Sequence, residues 1–191
     1  MDLHKLGIKF FVSDPGAISL PEFIPVFQSW IQKQAIPEHQ LVDVHDYSHI
    51  PGGPGILLVA HEGNFSIDMG DERPGLLYYR KHPSTPPERH FAKVIRAALQ
   101  GCALLEGEPA LSPKIRFMTN EAVIVANDRM AAPNTPAAFS ELEPVLRQSL
   151  HPVFGADLKL MKISGNPKER LTIRLEAKNA QSLKTLVTLV R

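Results

Sequence analysis

Two helical segments with the same grammar, one in each half of the chain, constrain its fold more than any other feature. Residues 20–31 read LPEFIPVFQSWI and residues 139–150 read FSELEPVLRQSL. Superposed without gaps, they match Glu22 with Glu141, Pro25 with Pro144 and Val26 with Val145. Leu20, Phe23, Phe27 and Ile31 fall on Phe139, Leu142, Leu146 and Leu150. Residues three or four apart stack along one side of a helix, so each set forms a single apolar face. The pattern predicts a duplicated unit with a cleft between its copies.

The segments around these helices alternate as strands do. GIKFFV (7–12) predicts a strand stopped by the Asp14-Pro15-Gly16 cluster. Ser19 and Glu22 have capping-box spacing, as do Ser140 and Glu143. Pro25 then lies either in a late-starting first turn or at a kink. LVDVHDY (41–47), GILLVAHE (55–62), FSIDM (65–69) and LLYYRK (76–81) predict an antiparallel meander, with Gly63-Asn64 as one of its tight turns. Residues 86–106 carry the clearest helical stripe, through Phe91, Val94, Ile95, Ala98, Leu99 and Cys102. KIRFM (114–118) and AVIVAND (122–128) read as a hairpin through Thr119-Asn120, and LKLMKIS (158–164) and RLTIRLEA (170–177) as another through Gly165-Asn166-Pro167. Ser182 caps a last helix. The expected class is α+β: duplicated β-α-β-β(-α) units, a mainly antiparallel sheet and helices on one face. The first unit spans residues 1–110 with an extra hairpin and the second residues 111–191, joined in one pseudo-twofold domain.

Charge excludes one class of partner. Lys and Arg number 21 against 20 Asp and Glu, for a net charge of +1 and no basic run, so nucleic acid is not an expected partner. No stretch approaches the roughly 20 apolar residues of a membrane span. The first residues carry no secretory h-region, and the expected location is cytoplasmic. Cys102 is the only cysteine and reads as a small buried apolar side chain.

The segments IKFFVSDPGAISLPEFIPVFQSWI, GPGILLVAHEG and ANDRMAAPNT resemble a family of uncharacterised bacterial proteins over most of the chain. That resemblance brings no activity and no functional residue. The tandem strand-helix-strand-strand order is separately similar to GyrI-like and SOUL-type domains. This second likeness implies a groove at a pseudo-twofold axis that takes hydrophobic small molecules or haem.

Three groups of residues are candidates for chemistry. His39, Asp43, His45, Tyr47 and His49 form the densest polar cluster, and alternation puts Asp43, His45 and Tyr47 on one strand face. If residues 50 and 55 flank the Pro-Gly-Gly-Pro turn, Glu62 joins Asp43 and His45. A one-residue slip moves it off. Imidazole and carboxylates suit a zinc or iron ion, whereas polar residues on one face of a strand also suit simple solvation. Asn127, Asp128 and Arg129 end a strand, with Asn134 and Thr135 beyond. They can orient a ligand or satisfy turn backbone. Among the aromatic residues, Phe27, Trp30 and Tyr78 are those expected along a groove between the units. No P-loop, Rossmann glycine fingerprint or GxSxG elbow is present.

Three functional expectations follow. The first is non-enzymatic binding of a hydrophobic small molecule or a partner segment between the units, lined by Phe27, Trp30, Tyr78, Asn127 and Arg129. The second is a metal-dependent or acid/base enzyme at Asp43, His45 and Glu62. The third is a homodimer or assembly protein pairing through an exposed strand edge, AVIVAND or LLYYRK.

Overall fold

Every residue of β1 (Leu6–Val12) is buried, as befits a strand with partners on both sides and cover on both faces. In a computed structural model, residues 5–70, 73–82, 86–163, 165–166, 168–178 and 180–190 are described. The remaining strands are β2 (Leu41–Tyr47), β3 (Gly55–Ala60), β4 (Gly63–Asp68), β5 (Gly75–Arg80), β6 (Phe117–Ala126), β7 (Leu158–Lys162) and β8 (Leu171–Ala177). They form one eight-stranded sheet in the order β2-β3-β4-β5-β1-β6-β8-β7, with every pairing antiparallel. Among the described residues, four α-helices complete the fold: α1 (Phe23–Lys33), α2 (Pro87–Gly107), α3 (Pro136–Phe154) and α4 (Leu183–Leu189). The class is therefore α+β.

Alternation sorts the sheet into two faces. Ile8 and Phe10 of β1, Ile56 and Leu58 of β3, Phe65 of β4, Ile124 of β6 and Ile173 of β8 join the helical side chains in one large core. The helices pack on that face: α1 against β2 and β3, α2 against β1 and β5, α3 against β7, and α4 against α2 and α3. On α2 the whole expected stripe from Phe91 to Cys102 is buried. Phe11, Val123 and Val125 form a second, smaller apolar cluster on the opposite, helix-free face.

Several local expectations change in the folded chain. Residues 117–126 form one continuous strand, not a hairpin at Thr119-Asn120. Glu121 pairs with Glu176 and Phe117 with Val12, so β8 and β1 hold both halves of it straight across a register shift. Gly63 and Asn64 belong to β4, and His61-Glu62 makes the turn. Neither capping box forms. Ser19 makes no cap bond, while Glu22 pairs with Lys114 at 2.7 Å. Thr135 caps α3 instead, accepting from Ala138 N, with Pro136 in the first turn. Pro25 lies in the first turn of a late-starting α1, whereas Pro144 sits inside α3. A turn from Asp71 to Gly75 is also expected from the sequence, before LLYYRK; its Asp71, and Pro167 of the Gly165-Asn166-Pro167 turn, lie outside the described residues.

The expected edge strands are interior: AVIVAND lies in β6 between β1 and β8, and LLYYRK in β5 between β4 and β1. Length and alternation mark a strand but not its neighbours. The true edges, β2 and β7, are blunted. Gln34, which ends α1 in the left-handed region (φ 46°), donates to Leu41 O and accepts from Leu41 N, both at 3.0 Å. Asp43 Oδ1 takes the Val44 N–H, a bulge interrupts β2, and Arg147 donates to Leu158 O on β7.

Candidate functional site

Charge enters the helix-free face through Lys9, a cation in the middle of an apolar strand. Its Nζ donates to Asp68 Oδ1 at 2.6 Å and to Gly70 O at 2.8 Å. Asp68 Oδ1 also accepts from Gly70 N at 3.0 Å. Beside this pair, the Arg73 guanidinium stacks 3.7 Å from the centre of the Phe11 ring and makes a two-pronged contact with Glu121, at 2.6 and 2.9 Å. That contact holds the Glu121 carboxyl below the ordinary range. These contacts anchor the flank of the loop between β4 and β5 on the sheet, which explains how Phe11 is buried with no helix above it.

Gly7 makes the next feature possible. A Cβ there would stand 2.7 Å from the Tyr79 ring and 2.7 Å from Tyr78 O, so only a bare α-carbon admits the ring. The Tyr79 hydroxyl accepts from Arg170 Nη1 at 3.1 Å. Burial pushes the Tyr79 pKa up. Arg170 borders two clefts on this face. The larger, about 560 Å³, is lined by Asn127, Arg129, Asn134, Lys168, Arg170 and Thr172, with Ile163 and Glu169. The smaller, about 230 Å³, lies over β3, β4 and β5, between the Gly52-Gly53-Pro54 turn and Tyr79.

The large cleft is rich in unspent hydrogen-bonding capacity. Arg129 donates to Lys168 O at 2.7 Å, which ties the loop after β6 to Lys168. Arg129, Lys168 and Arg170 have no carboxylate within ion-pairing distance among the described residues. Asn134 is 4% exposed, and its Oδ1 is buried without a partner among the described residues while Nδ2 donates to Asn166 O. Leaving such an oxygen unbonded costs about 1–3 kcal/mol.

The structure divides the sequence candidates. Asn127, Arg129 and Asn134 line the large cleft together. Asp128 and Thr135 instead cap local backbone, at Ala131 N and Ala138 N. Phe27 and Trp30 lie in the core on the helical face, with the Trp30 indole N–H donating to Glu108 at 2.6 Å. Tyr78 is 0% exposed on that same face, with its hydroxyl 2.8 Å from His39 Nε2. Pro37 O accepts from His39 Nδ1, so Nε2 is the acceptor for the tyrosine proton. Burial pushes the Tyr78 pKa up to about 12.

Asp43 and His45 are exposed on the outermost strand, 3.5 Å apart. Glu62 does not join them. Tyr47, not Ile50, pairs with Gly55, so Asp43 faces Val59, and Glu62 sits in the turn accepting from Gln40 N. The loop from Ser48 to Pro54 is longer than the four-residue Pro-Gly-Gly-Pro motif, and that length sets the register. Among the described residues, no group of three or more His, Cys, Asp or Glu side chains is placed to hold a metal ion. No helix among them is long and apolar enough to cross a membrane.

Lys9, Asp68, Lys168 and Arg170 were not sequence candidates. The charge of Lys9 inside GIKFFV was the one available signal, because a lone cation in an otherwise apolar strand requires a partner. Arg170 comes to Tyr79 across a separation of 91 residues, which no local pattern encodes. A comparison with protein-family models finds no match, and no curated protein matches the chain.

Proposed function

We propose that this chain is a binding protein, made of two related β-α-β-β units, that holds a small polar anion on its helix-free sheet face. The observation that carries the reading is the convergence of Arg129, Lys168 and Arg170 on one cleft whose lining holds a single carboxylate, Glu169, with none of the three cations ion-paired among the described residues. Like charges gathered in a concave wall raise the local potential and favour an anionic occupant. Arginine forks suit planar or tetrahedral oxyanions. The unpartnered Asn134 oxygen beside them supports the same reading, since such atoms collect where a ligand or water completes the shell.

The strand order supports the paired units. Counting outward from the central β1–β6 pair, each half meets its last strand first, β5 or β8, and ends on the strand that follows its helix, β2 or β7. Helices α1 and α3 each pack against that outer strand. The first unit carries the additional β3–β4 hairpin. On the helical side α2 lies against the central strands, and Phe27, Trp30 and Tyr78 are spent on packing. An inter-unit groove therefore belongs on the other face, where Arg170 of the second unit reaches Tyr79 of the first. Its lining favours a polar ligand over an apolar one.

Calorimetric titration with inorganic diphosphate in low-salt, metal-free buffer tests this. Saturable binding is expected, weakened about tenfold by Arg129→Gln or Lys168→Gln, a loss of ~1.4 kcal/mol for each. Heats no different from those of chloride at equal ionic strength, or variants that bind as well as the parent, would refute it.

A further inference from the structure

We infer that the anion is the phosphate end of a nucleoside phosphate, whose nucleoside lies in the smaller cleft. The inference rests on the anion-site reading and adds the class of molecule. Arg170 borders both clefts, so an occupant of one meets an occupant of the other at a single side chain. Their chemistries are opposite. The large cleft presents cationic donors, whereas the smaller presents acceptors between apolar walls. Asp68 Oδ1 is taken by Lys9 and Gly70, which leaves Oδ2 without a partner among the described residues. Asn64 adds a buried Oδ1 with no partner among the described residues. Leu57, Leu77 and the Tyr79 ring supply the apolar surface.

A flat heterocycle with amino groups, or a ribose with hydroxyls, donates to such acceptors and covers such walls. A lone anion does neither. The separation also fits. Tyr79, Gly7, Val125 and Thr172 follow one another across β5, β1, β6 and β8. Three strand spacings make this roughly 14 Å, beyond the reach of one oxyanion and within that of a nucleoside carrying two phosphates.

The test compares inorganic diphosphate with adenosine, guanosine, cytidine and uridine 5′-diphosphates, by calorimetry in metal-free buffer. At least one nucleotide is expected to bind about tenfold or more tighter than inorganic diphosphate, the gain of one well-made hydrogen bond. Asn64→Leu, which removes an oxygen that has no partner among the described residues, is expected to abolish that advantage and leave diphosphate binding unchanged. Leu57→Trp, crowding the small cleft from β3, provides an independent variant with the same expected result; circular dichroism confirms that both fold. If every nucleotide binds only as well as diphosphate, or if both variants keep the advantage, the nucleoside assignment falls and the anion site stands. If neither diphosphate nor any nucleotide binds, both fall.

Discussion

Lys9 Nζ lies 2.6 Å from Asp68 Oδ1 in the middle of the sheet, with side-chain exposures of 3% and 9%. The pair sits on the face that carries no helix, where a lone charge sealed from water has few means of solvation. Removing one partner of a buried ion pair strands the other, whereas removing both is far milder. Lys9→Met is expected to lower the unfolding free energy by about 3–5 kcal/mol. The double variant Lys9→Met/Asp68→Leu should recover most of that loss. Urea denaturation of the three proteins measures both effects, and equal losses in the single and double variants would contradict the account.

Gly7→Ala tests the seat of Tyr79. The new methyl meets Tyr78 O and the Tyr79 ring at 2.7 Å, and the carbonyl belongs to a paired strand that cannot yield freely. A cost of about 1–3 kcal/mol is expected, as for other overpacked sites. Because the Tyr79 hydroxyl holds Arg170, the variant should also weaken diphosphate binding. Thermal melts and calorimetry of one preparation supply both readings.

Acid should loosen the protein through His39. Burial pushes its pKa below the ordinary 6.5, so the unfolded chain takes up this proton more readily than the folded one. The stability from the neutral imidazole is complete above the unfolded value. It is lost as pH falls from there toward the folded one. Glu121, held low by Arg73, adds the same sign of dependence only at more acid pH, within the carboxylate range. His39→Gln keeps a carbonyl for the Tyr78 hydroxyl but has no proton to gain. Urea midpoints between about pH 7 and 5 should fall less steeply for the variant than for the parent.

Cys102 reports on the core under β1 and β5. It is fully buried on α2, where burial pushes its thiol pKa well up. Reaction with a disulfide reagent is expected only on unfolding, with none in native buffer. Leu99→Ala on the same stripe should cost about 2–5 kcal/mol and speed the labelling in proportion.

Periodicity made the helices legible. The stripe from Phe91 to Cys102 has the 3.6-residue repeat of a half-buried helix, and α2 buries that stripe. Strict alternation in RLTIRLEA placed Leu171, Ile173 and Leu175 inward, as β8 has them. The cap of α4 at Ser182 was legible as well. Caps at α1 and α3 were not: a 3-10 turn at Leu20–Glu22 follows Ser19 and α1 starts only at Phe23, while α3 starts at Pro136 and leaves Ser140 inside it. Capping boxes are short-range preferences of about 1 kcal/mol, too small to fix where a packed helix begins.

The candidate site was legible only at a strand end. Asn127, Arg129 and Asn134 stood out because polar residues clustered where a strand stopped, and they line the large cleft. Nothing in the local sequence distinguishes Lys168 and Arg170 from ordinary solvated charges. Nothing in a strand's own residues names the strand beside it, so neither the register of Asp43 against β3 nor the interior places of β5 and β6 can be read from the segments themselves.

Order along the chain, the class of each segment and its inward side chains came from the amino-acid sequence, since hydrophobic spacing is a local property that burial then enforces. Which strands became neighbours, which sheet face lacked helices and which distant cations met there were decided by tertiary structure alone. Those choices depend on loop lengths and on packing between segments far apart in sequence. A charge such as Arg170 acquires its meaning only when the folded sheet sets it beside Tyr79.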